Sequence, residues 1–285
     1  VLANEGVGGC TYNPFGIQPV SSACLNYAGL TDNTTNVLTS KDVEFSVQGP
    51  LFRLPGGEAK IALGADYRAS NYNYSPASAF TSSDTLAYGS DTASSGTQDA
   101  KELFAELLLP LLKDQSLAKD LTLDLGYRYS KYNTFSGKST WKADLSWTPT
   151  KGVLFRGGYS VAIRAPSLSD LYLGQSVSNT AINGGDPCDH TSSYRTGANA
   201  TQVQALCAAQ TAAAGTATYT YAGTSVPVQS GGNSLLEPEN AKTWSIGGVV
   251  TPVHGLNLSV DYYNINISGA ISSLSSGQIL ADCYG

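Results

Sequence analysis

From Lys41 onward, apolar and polar residues alternate one by one over long, sharply bounded stretches. Val43, Phe45 and Val47 oppose Glu44, Ser46 and Gln48; after Pro55-Gly56-Gly57, Ile61, Leu63, Ala65 and Tyr67 oppose Lys60, Asp66 and Arg68. Leu103, Ala105, Leu107, Leu109 and Leu111 oppose Glu102, Phe104, Glu106 and Leu108, and Leu121, Leu123, Leu125, Tyr127 and Tyr129 oppose Thr122, Asp124, Gly126, Arg128 and Ser130. The pattern recurs around Trp141–Trp147, Val153–Val161, Trp244–Val250 and Leu256–Tyr262. A period of two is the period of a strand, because successive side chains leave opposite faces of a pleated backbone. Over Ala100–Leu112 the composition also suits a helix, but the alternation and Pro110 favour a strand. About eight strands are expected.

The connections fall into two sets. Pro55–Gly57, Lys113–Lys119, Thr150–Gly152 and Pro252–Gly255 are short. Those at 1–40, 75–98, 166–236 and after 268 are long and rich in Gly, Ser, Thr and Asn, and only the one at 134–138 is brief. Short turns on one rim and long loops on the other are the asymmetry of outer-membrane barrels, and strands of about ten residues cross a bilayer at a tilt. A secreted β-sandwich also alternates. Strand length, aromatics near strand ends (Tyr127, Tyr129, Trp141, Trp147, Trp244, Tyr262) and charges mixed with Gly and Ser on the polar face all lean toward the barrel. The tail Ile271–Leu280 is amphipathic and suits a short helix.

Composition narrows the field. Of 285 residues only 13% are charged, with 17 Tyr and no Met, and the net charge of −6 argues against nucleic acid as a partner. No 18-residue apolar run exists, which bears on helical spans and not on strands. The first residues show no basic or apolar leader pattern, and an internal piece of a longer chain is the expectation. Among five Cys, Cys10 with Cys24 and Cys188 with Cys207 are candidate disulfide staples in loops, leaving Cys283 over. Oxidised staples imply a compartment outside the cytoplasm.

Little else points to chemistry. Two His without metal-ligand spacing give no metal site; Asp186, Asp189 and His190 suit turns around Cys188 better than a cation. Gly158-Tyr159-Ser160-Val161-Ala162 lies inside a strand and lacks the final Gly of a nucleophile elbow. Asp124 and Asp144 among Arg128, Lys142 and Arg156 suit ion pairs more than acid–base catalysis. No cofactor and no reaction are expected, so the chain is not expected to be an enzyme.

The run Gly157-Gly158-Tyr159-Ser160-Val161-Ala162-Ile163-Arg164-Ala165-Pro166-Ser167-Leu168 resembles a barrel signature of TonB-dependent outer-membrane receptors. Leu236-Glu237-Pro238-Glu239 with Ala241-Lys242-Thr243-Trp244, then Gly255–Tyr263, is similar to the stretch that follows in that family, and Cys10…Asn13-Pro14-Phe15-Gly16…Ser21 to one of its loops. In the family a Cys placed like Cys283 is typically followed by another. The resemblance implies an all-β, antiparallel transmembrane barrel segment over 1–285, about a third of a barrel of about 22 strands with a plugged lumen. Neither a plug domain nor a TonB box stands in these residues.

By resemblance the function is uptake of a scarce ligand (a ferric siderophore, cobalamin or an oligosaccharide) in the outer membrane of a Gram-negative bacterium. The implied partners are the TonB energy-transducing complex, reached through the missing N-terminal part, outer-membrane lipid, and a small-molecule ligand or metal chelate. Within the long loop, Tyr194, Arg195, Tyr219 and Tyr221 are the candidate ligand contacts. The alternatives are a passive porin-like channel and a structural or adhesive surface protein.

Overall fold

The computed structural model of the chain describes residues 19–82, 90–181, 185–210, 212–223 and 225–285. Ten strands are present among them: β1 (Thr35–Leu54), β2 (Gly57–Ser75), β3 (Ser94–Gln115), β4 (Ala118–Tyr132), β5 (Lys138–Thr150), β6 (Val153–Arg164), β7 (Ser176–Ala181), β8 (Ser225–Ser230), β9 (Glu239–Val253) and β10 (Leu256–Ser268). Eight form one sheet in the order β1-β2-β3-β4-β5-β6-β9-β10, and β7 and β8 make a separate two-stranded ribbon. Every pairing in the large sheet is antiparallel to its neighbour. The sheet is open, with β1 at one edge and β10 at the other.

Register turns the sequence alternation into two continuous surfaces. Val47, Leu63, Ala105, Tyr127, Trp141 and Val161 follow one another across six strands, and Leu107, Leu125, Ala143, Tyr159 and Trp244 form the next such row. On this face Trp141 stacks on Tyr159 with centroids 5.2 Å apart, Trp147 meets Phe155 at 5.6 Å and Trp244 meets Tyr262 at 5.2 Å. These are preferred aromatic cross-strand contacts. Trp147 and Trp141, six residues apart on β5, stand about 20 Å apart along the strand.

The opposite face is a wall of ion pairs. Arg128 bonds Glu102 at 2.7 Å, Lys142 bonds Asp124 at 3.0 Å, and Arg156 grips Asp261 through Nε at 2.8 Å and Nη2 at 2.6 Å. Side chains lie flat here because glycines leave them room. The Phe104 ring occupies the space a Gly64 side chain would need, coming within 2.1 Å of its would-be Cβ, and carries the Arg128 guanidinium 5.0 Å from its centroid.

Proline and turn chemistry set the details. β3 is a strand throughout, as its alternation predicts, and Pro110 marks a bulge at which pairing passes from Leu109 with Leu123 to Leu112 with Leu121. Leu112, and not Leu111, is therefore the residue opposite Leu121. At the tip of the β3–β4 turn Leu117 adopts a positive φ of 59°, and its carbonyl accepts the Trp147 indole N–H at 2.8 Å. The turns β1–β2, β3–β4, β5–β6 and β9–β10 are all two residues long. With antiparallel strands they lie on one rim and the long segments on the other.

Long-rim segments of the candidate functional site

The long segments are built structures. The region 165–238 between β6 and β9, of which 166–236 was expected to be loop, holds α3 (Leu168–Tyr172), β7, a 3-10 turn (Ser193–Arg195), α4 (Ala200–Gln210) and β8. The segment after β10 holds α5 (Ser276–Tyr284), a little beyond the helix expected over Ile271–Leu280. Before β1 stands α1 (Ser22–Ala28), and after β2 the short α2 (Ser78–Thr81).

At the base of 165–238, Arg164 at the end of β6 holds Glu239 at the start of β9 through Nε at 2.7 Å and Nη2 at 2.9 Å. Its Nη1 also reaches Asp170 at 3.5 Å. Two parallel N–H···O bonds to one carboxylate fix both strand ends in a single geometry. Asp170 closes a capping box with Ser167, which starts α3 directly after Pro166. The Ser167 N–H and the Arg164 charge hold the Asp170 carboxyl below its usual range. Glu239 also accepts the Ile271 N–H at 2.7 Å, so the final segment is tied to the same point. In the sequence Arg164 and Glu239 stand out only as letters of the two family-like stretches, and the spacing Ser167-x-x-Asp170 is the local signal for the cap.

The ribbon β7–β8 is tied to the segment just before β3, where Val177 N–H donates to the Ser90 carbonyl at 3.3 Å and Asp91 pairs with Ser176, and α3 is tied to β3. Thr92 N–H donates to the Gln175 carbonyl at 3.0 Å, Tyr74 donates to Asp91 at 2.8 Å, and the Tyr172 hydroxyl donates to the Thr97 carbonyl at 3.1 Å. Asp32 links the segment before β1 to α2, accepting from Ser78 Oγ at 2.7 Å and Ala79 N–H at 3.1 Å.

Further out, Cys188 and Cys207 form a disulfide with Cα atoms 5.7 Å apart. Around it Val203, Ala214 and Tyr284 are buried, with Tyr194, Tyr219 and Leu280 packed against them. Here the four candidate contacts come together. Arg195 spends its guanidinium on the carbonyls of Cys188 and Ala214, both at 2.8 Å, and of Thr216 at 2.9 Å. The Tyr219 hydroxyl reaches Asp186 at 3.3 Å, and burial raises its pKa. The Tyr221 hydroxyl donates to Ser225 O at 2.9 Å. Asp186 and Asp189 terminate turns, as expected: Asp186 accepts from Cys188 N–H at 2.7 Å, and Asp189 takes the Thr191 hydroxyl at 2.6 Å and the Tyr221 N–H at 2.9 Å. These donors, the Thr191 hydroxyl first, pull the Asp189 pKa down to about 2.

Tyr284 of α5 completes the cluster, accepting from the Gln210 amide, while the Asn199 amide donates to Gly285 O at 3.1 Å. Cys24 is disulfide-bonded; Cys10, its expected partner, lies outside the described residues. Cys283 is free and exposed. No group of three or more His, Cys, Asp or Glu able to hold a metal occurs among the described residues.

Below the rim the polar wall has a hollow of about 430 Å³, bounded by Glu102, Phe104, Arg128, Tyr132, Lys142 and Ser160. Glu102 is buried and held by Arg128 and, at 3.3 Å, by Tyr132. Lined by both signs of charge, such a hollow suits a polar occupant.

The fold has solved counterparts. The ferric enterobactin receptor PfeA of Pseudomonas aeruginosa superposes with a TM-score of 0.54 at 18% identity, covering 81% of this chain and 27% of that one. The siderophore receptor PirA of the same organism gives 0.52 at 14% identity, covering 82% and 33%. The chain thus spans about a quarter to a third of the length of these structures. No curated protein matches the sequence. The family model described as TonB dependent receptor-like, beta-barrel, matches residues 7–284, and the chain belongs to that family as part of its β-barrel.

Proposed function

We propose that residues 1–285 form part of the barrel wall and ligand-capturing rim of an outer-membrane receptor that imports a scarce ligand, of the ferric siderophore class, with energy supplied through TonB. The observation that carries this is the family match over a sheet with one aromatic and aliphatic face and one ion-paired face. Such a sheet suits lipid outside and a wet lumen inside. The solved receptors of like fold are siderophore receptors by name, which favours a metal chelate over the cobalamin or oligosaccharide classes.

The disulfide-braced unit would present the ligand surface. Arg195, Tyr219 and Tyr221 would act there mainly by holding its shape, since their polar groups are bonded within it, and Tyr194 by supplying apolar surface. The experiment is uptake of iron-labelled siderophores by cells with and without the intact gene, repeated with the proton-motive force collapsed. Uptake lost in both cases is the expected result. Passive flux surviving the collapse would favour a porin, and a gene loss that changes adhesion but no uptake would favour a surface protein.

A further inference from the structure

Lys101 of β3 and Lys131 of β4 stand directly opposite each other in the register, with Tyr67 of β2 next in the same row. All three project from the apolar face, since each sits two residues from a member of that face: Leu103, Tyr129 and Ala65. Like charges placed directly opposite on one face of a sheet repel. Both ammonium groups are exposed, and neither belongs to an ion pair or hydrogen bond among the described residues. Asp99 faces the same way two residues along β3, without an ion pair to either lysine, and Lys41 lies beyond it on β1.

The position of the pair along the strand gives the repulsion a purpose. On this face of β4 the apolar and aromatic run Leu121–Tyr129 is bracketed by Lys119 on the short-turn side and Lys131 on the long-segment side. Nine residues is close to the span of a tilted strand across the hydrocarbon layer, so the lysines fall at headgroup depth. Tyr129 and Tyr127 sit just inside, where an aromatic girdle belongs. A phosphate held between two ammonium groups and a phenol would turn the repulsion into two charge-assisted hydrogen bonds.

We propose that Tyr67, Lys101 and Lys131 form a binding site on the lipid-facing side of the barrel for the phosphate headgroup of an anionic membrane lipid. The site rests on this face meeting lipid, as the proposed function requires. The test uses the full receptor chain in nanodiscs containing bis-phosphorylated lipid A or its dephosphorylated counterpart, with retained lipid measured by native mass spectrometry. The expected result is preferential retention of the phosphorylated lipid, reduced roughly tenfold or more in the K101Q/K131Q double variant.

Thermal stability of that variant in lipid-free neutral detergent should equal or exceed the parent's, because only repulsion is removed there; a purely structural role would lower it and overturn the proposal. Equal retention by parent and variant would overturn it. So would full competition by millimolar inorganic phosphate, which would make the site one for the free ion. A chain that stays water-soluble and does not enter nanodiscs would overturn the membrane reading itself.

Discussion

Arg164 stands where three separate segments of the long rim meet: it holds Glu239 and Asp170 directly, and Glu239 also accepts the Ile271 N–H. Replacing it with Ala should leave the sheet intact and free the base of 165–238. Limited proteolysis is expected to nick that segment several-fold faster, with R164K giving only partial rescue because Lys cannot make the paired bonds. Asp189 gives a pH signature. Its pKa is depressed from 3.8 to about 2 in the fold, so it contributes stability that is present above about pH 4 and lost as pH falls through about 2. Hydrogen exchange at Thr191 and Tyr221 should therefore accelerate between about pH 4 and 2, and D189N should abolish that acid dependence. The Arg164 tie was not legible in the sequence, because Glu239 and Ile271 lie far along the chain, whereas the turn at Asp189 was, and only its bond from the distant Tyr221 N–H was not.

At the scale of elements, the strands were legible, and of the long-rim structures only the C-terminal helix and the Cys188–Cys207 staple were. Period-two alternation names a strand whatever the tertiary context, which is why β3 could be assigned over a helix-prone composition. In 165–238 the signals were local and weak: α4 (ATQVQALCAAQ) is helix-prone, but its mean pattern is barely amphipathic, so periodicity did not mark it. Its stability comes from the Cys188–Cys207 disulfide, the Arg195 bonds and Tyr284 packed from the far end of the chain. A cross-link over a sequence separation of 19 is worth about 3 kcal/mol in chain entropy. The C188S/C207S variant should accordingly lose protection around α4 and α5 in hydrogen exchange while strand amides stay protected.

At the scale of the molecule, the sheet assembles residues that sequence patterns could only assign to faces. The alternating rows predicted two surfaces; the register shows that they are continuous from β1 to β10, with the charges of one face paired across strands. An apolar surface of that breadth suits the proposed contact with lipid, under which its tolerance should depend on depth. Leu125→Arg, at the middle of the β4 run, should cost about 2–4 kcal/mol in urea unfolding from lipid vesicles, against little for Thr122→Arg on the wall face.

The most direct test places nitroxide labels singly on both faces of the full receptor in lipid vesicles and measures collision with oxygen and with a water-soluble nickel chelate. Labels at 107, 125, 145 and 246 should meet oxygen and exclude the chelate, most strongly near mid-strand; labels at 106, 124, 146 and 245 should show the reverse or be occluded. The same preference on both faces, or a chelate-accessible apolar face, would contradict a barrel wall set between lipid and lumen.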